Sequence, residues 1–552
     1  MADPVGDRRA QMFPVLSPAQ IARVAAVGTR RKVRVGDVAF RVGDRNTSFF
    51  VIVEGQVEVV RPLAEGEAPV VVHGPGQFTG EINMLSERRS LVSARVIKDG
   101  ELIEVDRERL RTLVQRDPEL SEVLLRAFIL RRVGLIAQDS SSLVLIGSRH
   151  SASTLEIREF LTRNAQPFSY QDVETDPAVQ AMLDRFQVSI SEVPVLICAG
   201  GHVLRNPSIE ALAAELGLSL EIDEKVHDLV IVGAGPAGLA AAVYGASEGL
   251  DVLVLEATAP GGQAATSSRI ENYLGFPTGI SGEALAGRAM TQAEKFGASL
   301  AIGRRAARLD CDSKPYKIFL ENGETVRTRA MIIASGVRYR KPELRDLSRF
   351  EGAGIFYSAT HLEAQLCDGE EVAIVGGGNS AGQAAVFLST VATGVRVLVR
   401  GPGLAESMSR YLIQRIGDSA KIKVQTRTQI ETMEGKDWLE RLHCRHLDSN
   451  TVETLPIRHV FMMTGADPHT KWLQGCVQLD DKGFIKTGLD LRPEDLAEGH
   501  WPLVRPPYLM ETTIPGVFAV GDARSGSTKR VASAVGEGSM CVQLVHRVLA
   551  EI

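Results

Sequence analysis

The strongest constraint on the fold lies at residues 228–256. Asp228-Leu229-Val230-Ile231-Val232 reads as a buried strand and runs straight into Gly233-Ala234-Gly235-Pro236-Ala237-Gly238. An apolar helical stretch follows to Ser247, and 251–255 reads as a second strand ending on Glu256, 23 positions after Gly233. This is a complete βαβ unit with the spacing that binds a dinucleotide. Gly233 permits the tight turn and Gly235 lets the backbone approach a pyrophosphate. Gly238 lets the helix pack on the strand, and Glu256 accepts from a ribose hydroxyl. A second unit begins at Glu371 and carries Gly376-Gly377-Gly378-Asn379-Ser380. Its second strand, 395–400, ends on Arg400 and not on an acid, which suits a ribose 2′-phosphate and favours NADPH over NADH. Two such units in one chain imply two cofactors facing one another. Hydride transfer from a nicotinamide to a flavin is the simplest chemistry for that pair.

Composition narrows the rest. The 552 residues carry 62 basic and 68 acidic side chains, a net charge of −6, which argues against a general nucleic-acid binder. There are 52 glycines and no collagen-like period. The six cysteines, Cys198, Cys311, Cys367, Cys444, Cys476 and Cys541, form no Cys-x-x-Cys. That removes zinc ribbons, knuckles and any local dithiol centre, and no metal site is expected. Residues 1–20 lack an apolar core behind a basic start, so no signal peptide is expected. The uncharged run 229–247 is long enough for a membrane, but Gly233, Gly235, Pro236 and Gly238 break it. The expectation is a cytoplasmic protein with no membrane span.

Residues 33–77 alternate in short strands between Gly-Asp turns, the pattern of a small β-barrel or jelly roll. Then come Gly80-Glu81-Ile82-Asn83 and, a short turn later, Arg89-Ser90. A glycine-led helix start exposes N–H groups to a phosphate, which an arginine can neutralise. Residues 15–135 resemble the cyclic-nucleotide-binding domain of catabolite-activator-like regulators. The resemblance implies Gly80 and Glu81 at the ribose and Arg89 and Ser90 at the phosphate of cAMP or cGMP. It departs at Asn83, where a small residue is usual, and in a slightly short Glu81-to-Arg89 spacing. A barrel that binds nothing and only holds subunits together is the alternative. Nothing like a basic helix-turn-helix follows.

Residues 141–223 read β-α-β-α-β-β-α, with Val193-Pro194 ahead of the third strand. This resembles thioredoxin and glutaredoxin, a likeness that implies a cis proline. The loop Ser148-Arg149-His150-Ser151 holds no cysteine, so the nucleophile of disulfide exchange is missing. Cys198 is expected in the core.

Further signals fit the first unit: Pro260-Gly261-Gly262-Gln263, Asn272, the strand 331–336, Gly521-Asp522, and Arg530-Val531-Ala532 opening a helix. Residues 226–552 together resemble a low-molecular-weight thioredoxin reductase. The resemblance places FAD on Gly233, Gly235, Pro236, Ala237, Gly238, Glu256, Gly262, Gln263, Asn272, Gly521, Asp522, Arg530, Val531 and Ala532. It places NADPH on Gly376, Gly378, Asn379, Ser380 and Arg400, and it implies a homodimer. A thioredoxin-like domain ahead of this module is also similar to the flavoprotein subunit of alkyl hydroperoxide reductase. Two departures matter. Ser358 and His361 stand where the family has its Cys-x-x-Cys, and Val399-Arg400-Gly401 keeps one arginine of the phosphate clamp. His361 is the only catalytic candidate, as a proton relay near the flavin. The electron acceptor is then a small redox protein, a quinone or oxygen. The alternatives are a redox or nucleotide sensor without turnover, and a disulfide reductase acting through an atypical cysteine such as Cys367.

The expected fold is multidomain: a jelly roll with helices, a thioredoxin-like α/β unit, and two Rossmann-like three-layer α/β units of FAD/NAD(P)-binding type. The expected division is 1–138 cyclic-nucleotide-binding-like, 141–223 thioredoxin-like, 226–339 and 466–552 for FAD, and 340–465 for NAD(P)H.

Overall fold

The computed structural model describes residues 9–551 except 46, 64–65, 81, 86–87, 137–142, 150, 177–178, 180–182, 185, 187–188, 190–191, 199–201 and 437. Among these residues, no helix is long and apolar enough to cross a membrane.

The first unit is an antiparallel sheet in the order 29–33, 93–105, 49–62, 67–73, with 38–40 paired to 93–105. Phe49, Phe78 and Phe128 meet inside it at 5.5–6.1 Å between ring centroids, and Phe128 comes from the helix Pro118–Ile136. The helix is thus nailed to the barrel by aromatic burial.

The second unit is a sheet ordered 169–172, 144–147, 195–197, 203–205, parallel at its first pair and antiparallel at the others. The Val193–Pro194 bond is cis, as the thioredoxin likeness implies. Ser151 caps the helix Ala152–Arg163 and Ser208 caps Ile209–Glu215 through their side-chain oxygens.

Residues 226–551 carry two large sheets, one mixed and one parallel. One has the strand order 299–302, 252–256, 226–232, 325–333, 316–320, 306–310, with 517–519 added beside 325–333. The other is wholly parallel: 355–356, 459–462, 371–375, 394–398, 422–425. Their central strands are buried on both faces, hence the unbroken runs of Val, Ile and Leu. The chain crosses between the two sheets twice, and the crossings pair as a two-stranded ribbon, 337–339 with 466–468.

Candidate functional site

The carboxyl ends of the parallel strands in both sheets open into one cleft of about 1030 Å³. This is where open α/β sheets bind ligands. On the first sheet, Gly233 turns with φ +105°, and a Cβ there would lie 2.4 Å from the Ala334 carbonyl oxygen. No other residue fits that turn. The helix Pro236–Ser247 starts on Gly235 with no side-chain cap, so its first N–H groups are left for a ligand. The helix Asn379–Leu388 starts the same way on Gly378. Two uncapped helix starts, each leaving a parallel strand, fit two dinucleotides.

Glu256 is 9% exposed, and its carboxylate is held from three sides. Oε2 accepts from the Ala234 N–H at 2.7 Å, and Oε1 accepts from those of Thr258 at 2.9 Å and Ala259 at 3.3 Å. It therefore braces the glycine turn while lining the cleft. Burial pushes the Asp522 carboxyl up from its ordinary value, with Lys529 opposing. Burial likewise pushes the Lys529 ammonium down, with Asp522 opposing. Burial, with Arg338 and Arg305, pulls the His469 imidazole below its ordinary value.

Of the residues expected at FAD, all but Gly238 line the cleft: Gly233, Gly235, Pro236, Ala237, Glu256, Gly262, Gln263, Asn272, Gly521, Asp522, Arg530, Val531 and Ala532. Gly238 lies beneath it, where a Cβ would sit 1.9 Å from the Gly233 carbonyl oxygen. Of the NADPH set, Asn379 and Ser380 line the cleft and Gly376 and Gly378 build the turn behind them. Arg400 stands exposed beyond strand 394–398 and outside the cleft lining.

Three side-chain placements bear on the chemistry. His361 is exposed, packs its ring against Phe387 and lies off the cleft, whose wall at this point is Tyr357, Ser358 and Ala359. Cys367 is fully buried, donates to the Glu363 carbonyl oxygen at 3.3 Å, and has its thiol pushed up to about 12 by burial. It is not a nucleophile. Two of the remaining cysteines, Cys311 and Cys476, 165 residues apart, are joined as a disulfide. Among the described residues, no His, Cys, Asp or Glu cluster could hold a metal.

In the first unit, Gly80 has φ +113° and lies against Met84 and Phe128. Glu81 is outside the described residues. Ser90 is buried and donates to the Val92 carbonyl oxygen. Arg89, expected at a phosphate, instead reaches the second unit: it donates to the Glu215 carbonyl oxygen at 3.0 Å and lies over Gly217.

Sequence reasoning missed the walls supplied from a distance. Glu159 and Arg163 of the helix Ala152–Arg163 line the cleft. Arg163 donates to the carbonyl oxygens of Ala259 at 3.3 Å and Gly262 at 2.9 Å. Tyr339 and 468–472 line it as well. The only local signal was the Glu159/Arg163 spacing, which also fits an ordinary surface ion pair.

The sequence pattern of the pyridine nucleotide-disulphide oxidoreductases matches residues 227–538, and that of the cyclic nucleotide-binding domain matches 30–117. The thioredoxin reductase of Ureaplasma parvum is 33% identical over 325 residues, 57% of this chain and 95% of its own length. That of Bacillus subtilis is 32% identical over 336 residues, 60% of this chain and 97% of its own. The crystal structure of Lactococcus lactis thioredoxin reductase superposes with a TM-score of 0.53 at 27% identity, covering 59% of this chain and all of that one.

Proposed function

Because the chain belongs to the pyridine nucleotide-disulphide oxidoreductase family, and is a FAD-dependent NADPH oxidoreductase of thioredoxin-reductase type, we propose two further properties. Its electrons leave to an acceptor other than a Cys-x-x-Cys at 358–361, and a cyclic nucleotide controls the transfer.

The observation that carries the first property is the cleft wall Tyr357-Ser358-Ala359, which holds no sulfur. Gly233, Gly235, Gln263, Asn272 and Asp522, with Glu256 at the ribose, would hold FAD. Gly376, Gly378, Asn379, Ser380 and, from outside the cleft, Arg400 would hold NADPH. FAD supplies, when bound, a two-electron carrier between nicotinamide and acceptor. The chain's own work is positioning. The uncapped helix starts would bind the pyrophosphates, with Trp472 and Tyr339 on the cleft wall. A small redox protein fits the acceptor role, and the working unit is a homodimer.

Two sets of contacts support control from the first unit. Arg131 donates to the carbonyl oxygens of Phe78 at 3.1 Å and Gly80 at 2.8 Å, and its neighbour Arg132 donates to that of Ala165. Asn164 donates to the Thr258 carbonyl oxygen at 3.1 Å, beside Arg163 on the cleft loop. Separately, Arg88 approaches Glu294 at 3.7 Å on the helix Gly282–Phe296.

The test is the NADPH half-reaction. The FAD-loaded protein is mixed with NADPH in a stopped-flow cell, alone and with cAMP or cGMP, and followed at about 450 nm, the usual flavin band. Prompt bleaching with a rate altered by one cyclic nucleotide is expected. Absence of bleaching would favour a sensor without turnover. Bleaching that ignores both nucleotides removes the control.

A further inference from the structure

The disulfide Cys311–Cys476 ties together two segments that each build the cofactor cleft. Cys311 directly follows the strand Ala306–Asp310, and Arg305 and Ala306 line the cleft. Cys476 lies three residues past the short helix Lys471–Leu473, and 468–472 line the cleft from the other side. The two Cα atoms are 6.0 Å apart. Both cysteines pack with Trp472 on one apolar cluster that also holds Ala306, Leu309 and Leu473.

Access distinguishes this pair from the other cysteines. Cys311 and Cys476 are half-buried, and their neighbours Asp312, Ser313, Gln474 and Gly475 are exposed. Cys198, Cys367, Cys444 and Cys541 are buried. Burial also pushes the thiols of Cys198, Cys367 and Cys444 up to about 12. The reduced state has a place to go, because the Cys476 sulfur lies 3.3 Å from the Leu309 carbonyl oxygen, to which a thiol there can donate.

We propose that Cys311–Cys476 is an exchangeable redox disulfide that sets how firmly the cleft wall 468–472 is held against strand 306–310, and that its reaction partner is an exogenous dithiol. A thiolate of that dithiol bonds one of the two sulfurs and expels the other as thiolate. The partner's second thiolate then attacks the partner's own bonded sulfur, expels the remaining protein cysteine as thiolate, and the partner leaves as its own disulfide. Two electrons and two protons have moved to Cys311 and Cys476. Once the tie is open, only side-chain packing and hydrogen bonds hold 468–472 in place, and the cleft loosens. The cofactor readout below rests on the FAD assignment of the preceding section.

The full-length protein is treated with dithiothreitol under native conditions, trapped with iodoacetamide, and its peptides are quantified. Label is expected on Cys311 and Cys476 only after dithiothreitol, and on the other four only after denaturation. FAD affinity, followed by flavin fluorescence, is expected to weaken at least threefold on reduction and to return on reoxidation. The double variant Cys311→Ser/Cys476→Ser is expected to hold FAD at the reduced-form affinity with or without dithiothreitol. The proposal is overturned if the pair resists native dithiothreitol, if both cysteines take label without reductant, or if affinity does not change. A protein that takes up no FAD in its oxidised state defeats the cofactor assignment instead. The wall is then read from the melting temperature, expected to fall by about 5 °C on native reduction; an unchanged value overturns the proposal.

Discussion

Single residues show how the two ends of the molecule use burial differently. Glu256 is a buried carboxylate whose oxygens are met by three backbone N–H groups. Glu256→Gln puts an amide N–H₂ against one of those donors and leaves a buried N–H without an acceptor, at a cost of about 1–3 kcal/mol. Because those N–H groups belong to the glycine turn and the cleft loop, the cost falls on the cofactor. FAD binding should weaken about tenfold or more, read by flavin fluorescence titration. Unchanged affinity would mean that the turn holds its shape without the carboxylate. His73 is a buried base with the opposite bias. It is 1% exposed, and burial, aided by Arg131, pulls its pKa down to about 3. The folded protein therefore keeps it neutral where the unfolded chain, with an ordinary value near ~6.5, takes up a proton. Stability from this group is full above about pH 7 and falls as the pH drops from about 6.5 towards 3. By pH 5 the loss is about 2 kcal/mol. Urea unfolding of wild type and His73→Gln at pH 7.5 and pH 5 checks it. The wild type should lose about 2 kcal/mol more than the variant between the two values.

At the scale of elements, close helix crossings shape the cleft. The helix Val531–Glu551 crosses the helix Pro236–Ser247 where a Cβ at Gly538 would sit 2.0 Å from the Ala237 carbonyl oxygen. Both helices begin at the cleft, through Pro236 and Ala237 on one and Val531 and Ala532 on the other. Gly538→Ala forces them apart and should destabilise the protein by about 1–3 kcal/mol and weaken FAD binding. Gly536, two residues away on the same helix, has nothing within 4 Å. Gly536→Ala should be neutral or stabilising by up to about 1 kcal/mol, since alanine is the better helix former. Melting temperatures and FAD affinity of the two variants, side by side, separate crossing geometry from helix propensity. The same contrast explains what could be read in advance. Gly233, Gly235, Gly238 and Glu256 were legible because turn, helix and second strand follow each other within thirty residues. The cleft walls at Arg163 and 468–472, the disulfide between Cys311 and Cys476, and the turning of Arg89 towards Glu215 all depend on partners about one hundred residues or more away in sequence. Spacing carries no record of such contacts. At Arg89 the motif points to a phosphate, while the side chain reaches the Glu215 carbonyl oxygen.

For the whole molecule, the question is whether the barrel feels the cleft. Arg88 meets Glu294 between them at 3.7 Å, both less than one tenth exposed. Nearby, Gln115 donates to the Lys295 carbonyl oxygen at 2.8 Å. The helix that carries Glu294 also packs against the cofactor loop, since a Cβ at Gly282 would sit 1.8 Å from the Ala264 carbonyl oxygen. Spatial continuity of this kind does not itself establish coupling; a double-mutant cycle does. Breaking a buried ion pair by removing one member is costly, so Arg88→Met and Glu294→Met should each destabilise by about 3 kcal/mol. The double variant should recover most of that, because it leaves two apolar groups of similar size. If the barrel acts on the cleft through this contact, the double variant should bleach with NADPH at the wild-type basal rate. Its response to the effective cyclic nucleotide should shrink at least threefold. A double variant that regains stability and keeps the full response would place the coupling on the other route, through Arg131, Arg132 and Arg163. Arg132→Ala should then remove the response while leaving the Arg88–Glu294 contact in place.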